Sequence, residues 1–455
     1  MTALLRPSSV LRLILVLSAG ACAGGGAIRV SDVTPQQIPA LEAARSQRPQ
    51  DATALARLGV AYFKAARYTD ARPVLDSAVA HDPANGVAAI YLGMTAEQLG
   101  DFATARRAYQ DYINRVGANG QLKSTARQRL ALVSRRQLEY QAREALANEA
   151  ALTTMPPESN TVAVMPFNYT GTNADIRPLT RGLAQLLVTD LAKSRQLRVL
   201  ERERMQAILD ELKLSDSGRA APATALRSGR LLRAARVVQG SLADLPGNEL
   251  QVSAVVVDVA TSGAGSPAAG EDQLSRLFDL EKQIAFSIFS AMGVQLSPAE
   301  QEAINQRPTQ NVQAFLAYSR GLAAQDQGDY AAAQADFNDA VNLDPAFRAA
   351  SQGAATAGEL STASQQTVAQ TEQSVSQVAQ FQAPSPTGPD ATQTALSNGA
   401  DATNPTSGSQ ITNQGGGGTA QTNNQGTNRA NTGEISGTDR SGTSIGNIII
   451  IIKRP

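Results

Sequence analysis

A set of small and large apolar positions returns every 34 residues near the N-terminal end of the chain, and nothing else in the sequence limits its fold as strongly. Leu58, Gly59, Tyr62, Ala71, Leu75, Ala78 and Pro83 make one copy, and Leu92, Gly93, Ala96, Ala105, Tyr109 and Tyr112 stand 34 residues on. Leu41, Ala44 and Pro49 stand 34 residues before Leu75, Ala78 and Pro83, as the second half of a preceding copy. Far downstream, Gly321, Ala324, Ala333, Phe337, Ala340 and Pro345 keep the same offsets around a Gly328-Asp329-Tyr330 turn. This spacing predicts pairs of antiparallel helices: the small residues allow close approach, the large ones fill the gap, and the proline ends the second helix. Each pair exposes an apolar face that a neighbour must cover, and about three pairs are usually needed for stability. The first block falls short of that, so the stretch from Gln121 to Ala150, rich in Arg, Glu, Ala and Leu, is expected to be a long capping helix. The downstream copy is alone and must pack on the middle of the chain, on the first block or on a partner.

These residues resemble tetratricopeptide repeats. Their first helices line a concave face, here Ala54, Arg57, Ala61, Lys64, Ala88, Tyr91 and Thr95, with Arg57 and Tyr91 of the types that anchor a partner. Either another protein or peptide occupies that groove, or the chain fills it with its own lone repeat or tail.

Residues 160–296 change period. Thr161 to Phe167, Leu197 to Leu200, Arg236 to Leu245 and Glu249 to Thr261 read as strands, the last two joined at Pro246-Gly247-Asn248. Ile176 to Ser194, Glu203 to Leu214, Thr224 to Ala235 and Leu274 to Met292 read as helices, with Thr224 as an N-cap. The expected class is α+β with a mixed sheet between tetratricopeptide-type hairpins. The runs VAVMPF, VLERERMQAILDELKL, VVQGSL and LQVSAVVVDVATSG resemble the CsgG-type curli-secretion family and its periplasmic relatives. That resemblance implies a part in assembly or export, and places Glu201 and Arg202 where a strand gives way to a helix, in a structural role. Channels of that family insert two long amphipathic hairpins into the membrane. Here the turns are short and no alternating lipid-facing segments are visible, so the pore parts are expected to be missing.

At the N-terminus, Arg6 and Arg12, the apolar run Leu13 to Leu17, and Ala19-Gly20-Ala21-Cys22 resemble a bacterial lipoprotein signal, with Cys22 as the lipidated residue. Ala19 stands where such signals usually carry Leu. Ala23 after the Cys, by resemblance to enterobacterial sorting, favours the outer membrane over the inner.

After Gly353 the composition shifts to Gln, Thr, Ser, Asn, Ala and Gly, and a disordered tail is expected. The chain closes on Ile448 to Ile452, which reads as a strand seeking an open sheet edge through Ile448, Ile450 and Ile452.

Lys plus Arg and Asp plus Glu both total 40, so no net field favours nucleic acid. One Cys and one His argue against disulfide frameworks, multi-Cys metal sites and most His-based acid–base chemistry, and no cofactor is expected. Gly442-Thr443-Ser444-Ile445-Gly446 fits the nucleophile-elbow pattern but lacks a flanking strand and helix. His81 reads as a cation at a helix C-terminus. The acidic pairs Glu201 with Glu203 and Asp210 with Glu211 read as members of solvated ion pairs.

The expected organisation is a signal peptide at 1–21, a linker at 22–35, repeats at 36–118, a capping helix at 119–150, the α+β domain at 160–296, a single repeat at 310–350, a disordered tail at 354–445 and a terminal strand at 446–455. The expected protein is a non-enzymatic, lipid-anchored envelope scaffold for other proteins or peptides, able to self-associate. The alternatives are a ring-forming secretion channel and, more remotely, a hydrolase using Ser444.

Overall fold

The computed structural model describes residues 28–213, 221–378 and 380–381. Cys22, Ser444 and Ile448, Ile450 and Ile452 lie outside the described residues, as do the signal peptide, most of the expected disordered tail and the terminal strand. Strand β1 (Ile28–Arg29) leads through two short 3-10 turns into α1 (Ile38–Gln47), α2 (Ala52–Lys64), α3 (Tyr68–His81), α4 (Gly86–Gln98), α5 (Phe102–Ile113) and α6 (Gly120–Ala147). Asp51, Asn85, Asp101 and Asn119 cap α2, α4, α5 and α6 by accepting from backbone N–H groups of the first turn. The repeat glycines mark the helix crossings. A Cβ on Gly59 would lie 2.4 Å from Leu75, one on Gly93 2.3 Å from Tyr109, and one on Gly321 2.5 Å from Phe337. Gly93→Val should therefore cost about 1–3 kcal/mol by overpacking, seen as a lower urea midpoint for the full chain.

The expected capping helix is α6, and it does more than cap. Its first half, with Leu122, Ala126, Leu130 and Val133, closes the core of the repeats. Ala142 near its end is buried in the next domain's core. At 1.5 Å per residue its 28 residues span about 42 Å. A buried triad pins it to the block: Arg129 donates to both carboxylate oxygens of Glu97, at 3.1 and 2.5 Å, and Tyr109 donates to Glu97 at 2.7 Å.

After the short α7 (Glu149–Thr154), the α+β domain begins at β2 (Glu158–Val164) and β3 (Asn168–Tyr169). It continues through α8 (Leu179–Leu191), β4 (Arg198–Val199), α9 (Arg202–Glu211), α10 (Pro222–Leu232), β5 (Ala234–Leu245), β6 (Glu249–Asp258), β7 (Ala268–Gln273) and α11 (Leu277–Ala291). The strands order β4-β2-β5-β6-β7, with β3 on β5. β2 runs parallel to β4 and β5, and β5, β6 and β7 are antiparallel, so the sheet is mixed as expected. Strand alternation splits the core: Val162, Val164 and Val238 face α8 and α11, while Ala163, Met165 and Val237 face α9 and α10.

Gly247 and Asn248 take positive φ in the predicted turn, which joins Leu245 to Glu249. Helix α10 starts earlier than expected, with Ala221 at the N-cap and Pro222 at the first helical position, so Thr224 sits inside it. Edge strand β7 escaped prediction because Ala-Ala-Gly-Glu-Asp-Gln carries no apolar alternation. Asp258, at the end of β6, accepts from the backbone and hydroxyl of Thr261, both at 2.9 Å, and these bonds lower its carboxyl pKa.

Beyond α12 (Pro298–Asn305), the downstream repeat forms α13 (Val312–Asp326) and α14 (Tyr330–Leu343). Of its three possible supports it takes the α+β domain, where Ser319 and Phe315 of α13 close on Gly182 of α8 and Phe315 packs edge-on against Phe278 of α11 at 5.3 Å. The boundary set at Gly353 fails. The chain continues as α15 (Arg348–Gln365) and α16 (Val368–Val378) before β8 (Gln380–Phe381) pairs with β1. Ala350, Gly353, Ala354, Ala357, Leu360 and Ala363 are buried at helical spacing. Apart from Leu360 these are small side chains that read as low complexity, yet they let α15 settle closely on α14 and α6. No described helix is long and apolar enough to cross a membrane.

Candidate functional site

Arg57, Ala61 and Lys64 lie on α2, and Tyr91 and Thr95 on α4, the first helices of two successive repeats. The 34-residue offset makes Tyr91 the counterpart of Arg57, and Thr95 that of Ala61. Ala61, Tyr91 and Thr95 are buried, and Phe63 packs edge-on against Tyr91 at 5.2 Å.

What covers these helices is the chain itself. Residues 28–35, expected to be a linker, press Val30 and Val33 into the core of the block, and the Lys64 ammonium donates to their carbonyls, both at 2.8 Å. Helix α16 completes the cover. Its Thr371 and Val375 are buried, and Tyr91 donates to the Glu372 carboxylate at 3.3 Å. Burial pushes the Glu372 carboxyl pKa up, while the Tyr91 hydrogen bond and the Lys64 charge pull it down. Burial also raises the Tyr91 hydroxyl, with the Glu372 charge adding to it. Two groove groups find no partner among the described residues: Arg57 Nε and the Thr95 hydroxyl. Burial draws the Arg57 guanidinium below its ordinary value although Asp51 opposes it.

A second polar site lies where α6, α9, α13 and α15 meet, around a cleft of about 440 Å³ lined by Ser134, Leu138, Gln206, Gln325 and Leu360. Arg202 sits fully buried beside it. Its guanidinium bonds Asp326 from α13 and lies 3.3 Å from Glu203, and Arg181 of α8 approaches Asp326 to 3.7 Å. Burial lowers the Arg202 pKa, but the charges of Asp326 and Glu203 more than reverse this. Burial and Glu203 raise Glu201. The sequence placed Arg202 at a strand-to-helix boundary, which is correct, but could not show that its partner stands 124 residues away. The solvated reading suits Glu211, which meets Arg143 at 3.4 Å on the surface, and does not suit Glu203. Among the described residues no cluster of His, Cys, Asp and Glu could hold a metal ion.

A helical-repeat block with a concave face, strapped to a mixed-sheet α+β domain, defines a protein-interaction architecture. Residues 139–266 match the family described as curli production assembly/transport component CsgG, and residues 38–86, 57–119 and 316–347 match tetratricopeptide repeats. The chain thus carries a CsgG-type domain between tetratricopeptide repeats. The match begins inside α6 and stops short of β7 and α11, which complete the sheet and one of its two cores. Among solved structures, the C-terminal domain of LpoB from Salmonella enterica aligns with 16% identity and a TM-score of 0.21, over 26% of this chain and 86% of that one. No curated protein matches the chain.

Proposed function

We propose that the protein is a non-enzymatic scaffold, held by lipid on Cys22 at the periplasmic face of the outer membrane. There it gathers other envelope proteins or peptides for envelope assembly or the export of a surface polymer. The observation that carries this reading is the groove of the first block, a helix-sized concave face joined by one continuous helix to a CsgG-type domain. The tight turn between β5 and β6, and the absence of a long inserted hairpin among the described residues, support a scaffold over a ring-forming channel. Lipidation is supported by the residues around Cys22.

The test is to express the full chain in a bacterial envelope, extract the membranes with detergent, and measure particle mass by light scattering with images of the same fraction. A single copy or a small complex with other envelope proteins, released from membranes by Cys22→Ala, is the expected result. A closed ring with a central opening would overturn the scaffold in favour of the channel.

A further inference from the structure

We propose that α16 is a built-in stand-in for a partner's helix, and that the groove accepts in trans a short acidic helix of the same pattern. The inference rests on the scaffold reading and names the kind of partner. Val368, Thr371, Glu372, Val375 and Val378 fall at the i, i+3, i+4, i+7 and i+10 positions of one helical stripe, and the three valines pack into the core of the repeats. Glu372 lies between them, hydrogen-bonded by Tyr91 and within the field of Lys64. The groove therefore reads a carboxylate set in an apolar stripe, and its cations Lys64 and Arg57 favour an acidic helix over a basic one.

Helix α16 is held lightly enough to leave. It has 11 residues, a length at which an isolated helix is marginal, and only Thr371 and Val375 are fully buried. Besides the valine stripe, its anchors are one 3.3 Å hydrogen bond to a side chain and, just beyond it, the two-residue pairing of β8 with β1. The fit is also incomplete, because among the described residues Arg57 Nε and the Thr95 hydroxyl are buried without hydrogen-bond partners. A helix that brings acceptors to these two groups makes bonds that α16 does not. The tether gives α16 an effective concentration of about millimolar, so a competitor must either bind better or arrive after α16 has been drawn away.

The probe is a fluorescent synthetic peptide of residues 366–381, titrated into the full chain and into its Val375→Asp variant, which puts a charge at the buried end of the stripe. The variant should bind the peptide at least tenfold more tightly than the wild type, and adding Ala61→Arg to the variant should abolish binding. In the wild-type chain, excess peptide should speed amide exchange across 368–378 and leave α2 and α4 protected. Equal binding to wild type and variant, or unchanged exchange in the wild type at saturating peptide, overturns the proposal. If the peptide fails while envelope proteins still co-purify, only this inference falls. If it binds but the particles are closed rings, the scaffold reading falls instead.

Discussion

Arg202→Met should lower the stability of the full chain by about 3–5 kcal/mol, the range found when one partner of a buried ion pair is removed. Arg202 is 2% exposed, and Asp326, its partner from the far side of the junction, is nearly as enclosed. Without the guanidinium the Asp326 carboxylate is left with the more distant Arg181, at 3.7 Å, as its ion pair among the described residues. The loss should be local at first, because Arg202 belongs to α9 of the α+β domain and Asp326 ends α13 of the downstream repeat. Urea unfolding should therefore show the downstream repeat and α15 separating before the first block melts, with proteolysis opening the 306–311 connection. The double variant Arg202→Met with Asp326→Leu should recover most of the loss, since a well-packed apolar pair often equals a buried ionic one. If the single variant unfolds in one transition at the wild-type midpoint, the junction does not depend on this pair.

The junction shows where the sequence stops being legible. The repeats announce themselves because Gly59, Leu75 and their counterparts return at a fixed period, and each period is one locally closed hairpin. The mixed sheet was readable for a similar reason: Val162, Val237 and Val252 lie in apolar runs bounded by turn residues. Helix α15 was missed because its buried face, Leu360 apart, is alanine and glycine, whose burial depends on how closely a neighbour approaches rather than on residue type. Periodicity put Lys64 and Tyr91 on the first helices of successive repeats, and both meet distant parts of the chain. That Val30, Val33, Glu372 and Val375 cover these helices depends on contacts between distant parts of the chain, which no local pattern encodes. Arg202 and Asp326 are of the same kind: a charged residue on a helix looks solvated until a third element closes over it.

Stability of the α+β domain should fall as pH rises from about 5 to 8, and Glu281→Gln should remove most of that dependence. Glu281 and Lys282 of α11 and Asp190 of α8 are all buried. The Lys282 ammonium lies 2.5 Å from Asp190 and 3.2 Å from Glu281, so two carboxylates share one cation. Among the described residues the shorter contact of Lys282 is with Asp190, to which it donates, which leaves Asp190 the better paired of the two. Burial, reinforced by the Asp190 charge, pushes the Glu281 carboxyl up to about 8 from an ordinary 4.5. The folded chain therefore holds a proton through neutral pH that the unfolded chain has already released. This stabilisation is complete below pH 4.5 and disappears as pH rises through 8. Burial raises the Asp190 carboxyl too, which adds to the effect with the same sign. An uncharged glutamine keeps the shape and has no proton to lose. The variant should match the wild type near pH 5 and exceed it by on the order of 3 kcal/mol at pH 8.5. Calorimetric melting at pH 5, 7 and 8.5 checks this: two curves that stay parallel across the series would mean that Glu281 is already ionised in the folded domain.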